Sequence, residues 1–548
     1  MPPEPERRST RPMEVPERDP QQAPKADAIG RRESLWIAAL LLLAGAGLAA
    51  WVHWVHAETP LIFDELVYLW QAKILGHGWI GAPVPRHHEF VSALFFYERE
   101  GRVYGQYPIG YPLALVPWVV ARAPWALNVL LGVFSLFLLH RFARAIGGRR
   151  EAWLATACLA ISPFFIVQST VFLTHPLTLA LTLLVLYALL RRSQDDRRLR
   201  WAALCGGAIG YALNISPYVA VPMAAVCAER CWVGRSARRP SRRELLAFVL
   251  PFVAGVALFG AVNQEATGAA WRPAYFHRSF VRPGFGDEVG QRGFGPADAL
   301  RITMDRLDLL DRMLFGWPIP SLLFAGIHVV GAALRARTRR GFRPSANRAD
   351  PGGPVENDRW DRPLLILFLG TVIVYAFWYY PGTRDGLGPR YYYAALPTLV
   401  LFTARGFAAL GDGVSRLAPR RWAAHALLSI ACFCALFATG TVPYLARMAD
   451  GVKPTERRAA RAFLEELERR GVKRGTVFVE SPFSKRARRG ILLFQSNFDD
   501  RGDLVFAWDL GPGKNGDFLS ERGGGPAYFA RLDEKNLVWE ISDTPPRP

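Results

Sequence analysis

Cysteine is scarce. Six residues in 548, Cys158, Cys205, Cys227, Cys231, Cys432 and Cys434, all fall in or beside apolar runs. That placement excludes a disulfide framework or a zinc ribbon and leaves the thiols as small buried groups. A nucleotide loop is missing too, because the glycine-rich GFGDEVGQRGFG has no following Lys-Ser and no strand-to-helix setting. Nor does hydropathy show the two-fold repeat on which many secondary transporters are built. The first apolar run, LWIAALLLLAGAGLAAWV, lacks a small-residue cleavage site and follows a Pro-rich charged arm, so it reads as a retained membrane helix and the arm as disordered.

What is present is apolar surface in long blocks. The chain is 51% hydrophobic and 12% aromatic, with a formal net charge of +20. The basic residues stand in short clusters between apolar runs and not along one soluble face, which argues for membrane topology signals and against nucleic acid as a partner. A span needs about 20 apolar residues. That length gives eleven candidates, near 35–55, 123–142, 151–168, 172–190, 200–214, 217–233, 245–262, 317–334, 363–380, 391–409 and 423–444. Arg-rich connections (RFARAIGGRR, RRSQDDRRLR, RSARRPSRRE, RARTRRGFRPSANR, RLAPRRW) occur at every second crossing. By the positive-inside rule the N-terminus is expected in the cytoplasm and the segments 56–122, 263–316 and 446–548 on the outer side.

The outer segments hold the candidate chemistry. TPLIFDELVYLWQAKILGHG places Asp64 and Glu65 directly after the first span. Helical over 61–76, it sets Asp64, Glu65, Tyr68, Gln71 and Ala72 on one face and Ile62, Phe63, Leu66, Leu69, Trp70 and Ile74 on the other, a pattern for a helix along the membrane surface. The competing reading is an amphipathic connector whose acids face solvent. The prolines of YGQYPIGYPLALVPW disfavour a continuous helix, and a turn against the first span is expected there. RHHEF brings His87, His88 and Glu89 together as weak ligands for a divalent metal, although adjacent histidines are no defined ligand spacing and a solvated loop is the plainer reading. The loop from Asn263 to Gly316 carries Trp271, Tyr275, Phe276 and Phe285, suited to stacking on sugar rings or to the interfacial belt. In the tail, PTERRAARAFLEELERRG reads as an amphipathic helix, and GTVFVES, DLVFAWDLG, PAYFARLD and NLVWEIS read as strands.

In order, the first span, the Asp-Glu loop, QYPIGYPLAL, RFARAIGGRREAWLATACLAISPFFIVQST and the late GPRYYYAALPTLVL resemble the GT-C glycosyltransferases, and within them the protein O-mannosyltransferase and aminoarabinose transferase branch. The resemblance implies a multi-pass enzyme that moves a sugar from a polyprenyl-phosphate donor to a lipid, glycan or protein acceptor at the outer face. It matches the family's acidic residue of the first outer loop, a general base or acceptor-positioning group, to Asp64, with Glu65 beside it. A phosphate leaving group needs little protonation, so a base for the acceptor hydroxyl and a cation for the departing phosphate suffice. Arg390 is the favoured cation among Arg390, Arg384, Arg86, Arg102 and Lys73, because GPRYYY puts it where a loop meets a span. The alternative is that Arg390 reaches to lipid phosphate.

Tyr68, Gln106, Tyr107, His175 and Tyr391 complete the candidate substrate-binding set. Where relatives often carry a basic residue or His before Pro-Pro, this chain has Gln106, Tyr107 and a single Pro108, so that phosphate ligand is not carried over. The expected architecture is an α-helical polytopic membrane protein, GT-C-like, with about eleven spans. It divides into an arm (1–34), a transmembrane region (35–445) and a small extracytoplasmic α/β domain (446–548). A divalent metal is the only cofactor left open, and the Ala- and Arg-rich composition points to a bacterial inner membrane. Transport, polymerisation or ligation of lipid-linked glycans, and scaffolding are the competing functions.

Overall fold

The computed structural model describes residues 30–56, 58, 60, 62–84, 87–90, 95–234, 239–277, 281–340, 358–383, 387–417, 430–451, 454–480, 503–533 and 538–544. Its helices are α1 (Arg31–Trp54), α2 (Phe63–Gly76), α3 (Gly110–Val120), α4 (Ala126–Ile161), α5 (Pro163–Gln168), α6 (His175–Gln194), α7 (Arg198–Leu213), α8 (Pro217–Ala228), α9 (Arg242–Thr267), α10 (Pro296–Phe315), α11 (Leu323–Arg340), α12 (Asp358–Ala376) and α13 (Leu396–Leu417). They continue with α14 (Ile430–Asp450), α15 (Pro454–Arg469) and α16 (Pro512–Glu521). Among the described residues, six helices are long and apolar enough to cross a membrane. Among the described residues, each apolar run of the sequence lies largely on helix. The runs at 123–142 and 151–168 are the two arms of α4 with α5 added. Gly148, at φ 81°, bends α4 between them, a backbone value that a side chain would resist.

Polar groups at the Arg-rich helix ends are paired inside the protein. Glu33 on α1 meets Arg144 at 3.4 Å, Glu244 on α9 meets Arg192 at 3.5 Å, and Arg405 on α13 holds Glu151 at 2.9 Å and also Asp361. His328 closes on Asp361 at 3.0 Å. Glu33, Glu151 and Glu244 are all buried. An uncompensated charge is expensive there, so Arg144 and Arg192 of the Arg-rich connections, with Arg405 of α13, supply internal partners for these carboxylates.

Two expectations for the first outer segment need correction. YGQYPIGYPLALVPW forms no turn against α1. It runs through strand β3 (Arg102–Gly105) into helix α3, which packs on α2. Pro112 falls in the first turn of α3, where no amide partner is needed, and Pro117 is accepted near the other end. The apolar face of α2 does not lie on a membrane surface either. Leu66, Trp70 and Ile74 share one buried cluster with Phe463, Val477, Phe506 and Trp539. Burial of each large side chain is worth about 1.5–3 kcal/mol, so α2 is bound on this face by the C-terminal strands.

Those strands, β4 (Gly475–Glu480), β5 (Leu504–Asp509), β6 (Ala527–Asp533) and β7 (Val538–Ser542), form a sheet in the order β5-β4-β6-β7. β4 is parallel to β5 and β6, and β7 is antiparallel to β6. All four lie where the sequence places them, and α16 is the crossover between β5 and β6 that the sequence reading lacked. A smaller antiparallel sheet, with β1 (Ala82–Pro83) and β2 (Phe96–Arg99) flanking β3, belongs to the first outer segment. The long segment before Gly316 also differs from expectation, since its second half is α10, with Pro296 at the start and Asp298 bonded back to the Gly295 amide.

The residues 87–90 dock on the other side of the C-terminal sheet. Phe90 stacks on Phe518 at 4.6 Å, and His87 Nε2 donates to Glu521 at 2.8 Å. The Glu521 carboxylate raises the His87 pKa above its usual value, with Glu89 adding a smaller push. A raised pKa means the charged pair is fully formed below the unpaired value of about 6.5 and is lost as pH rises through the folded value. Hydrogen exchange of α16, corrected for intrinsic rate, is therefore expected to speed up on going from pH 6 to above the raised value, and Glu521→Gln is expected to remove that step.

Candidate active site

The first turn of α2 aims its two carboxylates in different directions. Glu65 is 1% exposed. One oxygen accepts from the Ile62 amide at 3.2 Å, closing the helix start, and the other accepts from the Phe172 amide at 2.9 Å. Glu65 is thus an internal strut between α2 and the turn 169–174. The same turn is held by His56 Nδ1, which donates to the Thr170 carbonyl at 2.9 Å, and by Asn128, which donates to the Val171 and Leu173 carbonyls.

Asp64 faces the other way. Its Oδ2 accepts from Nη2 of Arg390 at 3.2 Å across 326 residues of sequence. Arg390 is 5% exposed, and its Nη1 finds no acceptor among the described residues. Backbone contacts fix the arginine: Gln168 donates to the Leu387 carbonyl at 2.6 Å, and the Tyr393 hydroxyl reaches Ser169 at 3.0 Å and the Phe165 carbonyl at 3.2 Å. Gly382, at φ 67°, lets the chain pass close to Tyr391, where an added Cβ would lie 2.4 Å from the ring.

Aromatic rings wall the pair. Tyr68 lies 4.7 Å from Tyr107, Tyr107 lies 5.5 Å from Tyr275, and Tyr275 lies 6.4 Å from Trp378. Tyr391 stacks on Tyr375 at 4.8 Å, within 9° of parallel, and accepts from the Trp378 indole at 3.3 Å. Burial raises the phenol pKa of Tyr68 well above its ordinary range, helped by Tyr275 and Asp64, and Tyr107 is raised in the same way, with Asp64 the next cause. Both therefore stay protonated and remain hydrogen-bond donors beside the carboxylate.

Of the residues singled out in sequence, Asp64, Tyr68, Tyr107, Arg390 and Tyr391 come together. The His175 ring sits 6.4 Å from both Tyr391 and Tyr393, behind this wall. Gln106 precedes Tyr107, half-buried, with its amide on the Phe95 carbonyl at 3.0 Å. His87 is elsewhere, against α16, with Glu89 3.6 Å from it. The side chain of His88 lies outside the described residues, as do Arg86 and Arg384. Among the described residues no group of three or more His, Cys, Asp or Glu side chains is gathered as a metal site requires. Lys73 and Arg102 are exposed. The sequence reading passed over Tyr375, Trp378, Gln168 and Asn128. The dense aromatic run YAFWYYP, a few residues before GPRYYY, was the available signal for the first two.

Residues 119–260 match the family model described as dolichyl-phosphate-mannose-protein mannosyltransferase. The matched segment includes α4 to α8 and most of α9, with His175, but neither Asp64 nor Arg390. No curated protein sequence matches significantly. Among solved structures, ArnT from Cupriavidus metallidurans bound to undecaprenyl phosphate aligns at 14% identity with a TM-score of 0.52, covering 92% of this chain and 94% of that one. The apo form of the same protein gives the same values. The Archaeoglobus fulgidus oligosaccharyltransferase, apo form, aligns more loosely, at 13% identity and TM-score 0.45, covering 92% of this chain and 70% of that one.

Glu65→Gln puts an amide NH2 against one of two backbone N–H groups and is expected to lower stability by about 1–3 kcal/mol, read as a lower unfolding temperature in detergent, with the Asp64–Arg390 site intact. The chain thus shares the fold of ArnT over 92% of its length, and residues 119–260 match the mannosyltransferase family model.

Proposed function

We propose that the chain transfers a sugar from a polyprenyl-phosphate donor to an acceptor hydroxyl or amine, with inversion, at the site built by Asp64 and Arg390. The observation that carries this reading is the 3.2 Å contact between a carboxylate and a buried guanidinium whose Nη1 has no acceptor among the described residues, inside a wall of tyrosines. The ArnT structure that shares the fold was solved with undecaprenyl phosphate, and the matched family is named for a dolichyl-phosphate mannose donor. Both support a lipid-phosphate sugar as the donor class.

In this reading Asp64 takes the proton of the acceptor nucleophile. The nucleophile forms its bond to the anomeric carbon as the bond from that carbon to the phosphate oxygen breaks. The electron pair leaves with the polyprenyl phosphate, and Arg390 neutralises the charge that collects there. Retention by a double displacement would call for a carboxylate nucleophile about 5 Å from the acid–base group. Glu65 is the nearest carboxylate in sequence, and its two oxygens are engaged by backbone amides, which favours inversion. Tyr68 and Tyr107 present hydroxyls to a sugar or to the nucleophile, and the rings of Tyr391 and Trp378 suit stacking on a pyranose face. The outer face of a bacterial inner membrane, with the N-terminus cytoplasmic and the α/β segment 446–548 outside, is the setting that the Arg-rich connections support. The acceptor lies within the lipid, glycan or protein classes.

The test is transfer from a panel of radiolabelled polyprenyl-phosphate sugars to cell-envelope acceptors by protein in lipid. Asp64→Asn keeps an oxygen for Arg390 and so is expected to stay folded, while transfer falls roughly 10²–10⁴-fold. Arg390→Gln is expected to cost roughly 10²–10³-fold. Transfer by folded Asp64→Asn at the wild-type rate, or no transfer by wild type from any donor, would overturn the reading.

A further inference from the structure

Arg306 stands on the buried face of α10, and none of its surface is exposed. Its guanidinium donates to four carbonyls: Nε to Pro381 at 2.9 Å, Nη1 to Tyr375 at 2.7 Å, and Nη2 to Trp378 at 3.2 Å and Tyr380 at 2.7 Å. These carbonyls belong to the end of α12 and the chain leaving it, where the helix ladder gives out and the Tyr375 carbonyl accepts the Trp378 amide at 3.2 Å besides Arg306. A fully buried guanidinium is ordinarily matched to a carboxylate. Here the hydrogen-bond acceptors are backbone oxygens, helped by the negative end of the α12 dipole. The clamp therefore fixes the course of residues 375–381, and the position of α12 itself is secondary.

Those residues carry the wall of the site. Tyr375 is the ring stacked on Tyr391, and Trp378 is the donor to its hydroxyl. The Arg306 guanidinium carbon lies 5.3 Å from the Tyr391 ring centroid, and that of Arg390 lies 5.8 Å from the same centroid. One ring thus has two guanidinium groups against it, one closed by four carbonyls and one whose Nη2 bonds Asp64 while its Nη1 has no acceptor among the described residues.

We propose that Arg306 is a positioning residue for the donor phosphate: by clamping the carbonyls of 375–381 it sets Tyr375, Trp378 and Tyr391, and through Tyr391 the guanidinium of Arg390. The proposal rests on the reading of Asp64 and Arg390 as the transfer site. Lysine keeps the charge but offers one nitrogen with three N–H groups in place of a planar fork, and one nitrogen does not span four carbonyls.

The experiment measures binding of polyprenyl phosphate, and of uncharged polyprenol of the same length, to wild type, Arg306→Lys and Arg306→Gln in lipid nanodiscs, with thermal unfolding as the control for folding. Arg306→Lys is expected to fold as wild type and to bind polyprenyl phosphate about tenfold more weakly, equivalent to about 1.4 kcal/mol, with polyprenol binding unchanged. Should Arg306→Gln fail to fold, the lysine variant carries the test. Equal phosphate affinity in folded Arg306→Lys, or equal weakening toward phosphate and polyprenol, would overturn the positioning role alone. Failure of the wild type to prefer polyprenyl phosphate over polyprenol would overturn the reading of the site and the proposal with it.

Discussion

The structure depends on a charge pair that gains little by being formed. At 3.2 Å, Asp64 and Arg390 attract each other by about 4 kcal/mol or somewhat more if the effective dielectric is near 20. Removing each ion from water costs several kcal/mol. The two terms nearly cancel, so the pair is no net source of stability, and its geometry has to be held by other contacts. Glu65, His56 and Asn128 hold the turn that α2 leans on, Gln168 and Tyr393 hold the loop before α13, and the ladder of tyrosines fills the space between. The stability lies in this apolar and backbone-bonded frame, and the frame holds together two charges that would otherwise both prefer water.

Burial explains why the two adjacent acids of FDEL have such different surroundings. Consecutive residues on a helix point about 100° apart, and at the start of α2 one direction leads to free backbone amides and the other to the aromatic hollow. Glutamate has the extra methylene needed to reach back to the Ile62 amide and across to Phe172. Aspartate is short enough to stop at the hollow's edge. Exchanging the two residues would leave the amides without an acceptor and push a carboxylate further into the ring cluster.

Much of this was legible in the sequence, though unevenly. Long apolar runs, the Arg-rich punctuation and the alternating strands of the tail are local patterns, and helices and strands were found where those patterns put them. Asp64 was named because an acid directly after the first span matches the family's acidic residue, and Arg390 because GPRYYY puts it where a loop meets a span. Their contact, 326 residues apart, has no local signature. α10 went unread because its exposed face is crowded with charge, so mean apolarity hides a helix that Pro296, Asp298 and the spacing of Ala299, Arg306, Leu310 and Met313 together mark. Arg306 was invisible for a further reason, since in sequence it is one more arginine in a basic protein, and only the four carbonyls that surround it distinguish it. The prolines of α3 misled because their cost depends on position within a helix, which composition does not record.

The shared core between α2 and the C-terminal strands sets an order of events in biosynthesis. Leu66 is synthesised roughly 400 residues ahead of Phe463 and roughly 470 ahead of Trp539, an interval of roughly 20–95 s at about 5–20 residues per second. During that time Leu66, Trp70 and Ile74 have no protein surface to cover them, and the interface of the lipid bilayer is the nearest apolar phase. The amphipathic pattern that reads in sequence as a surface helix is therefore suited to the nascent chain. Only when the final strands arrive does protein cover this face of α2, so the helix that carries Asp64 and Glu65 completes its packing among the last events of folding.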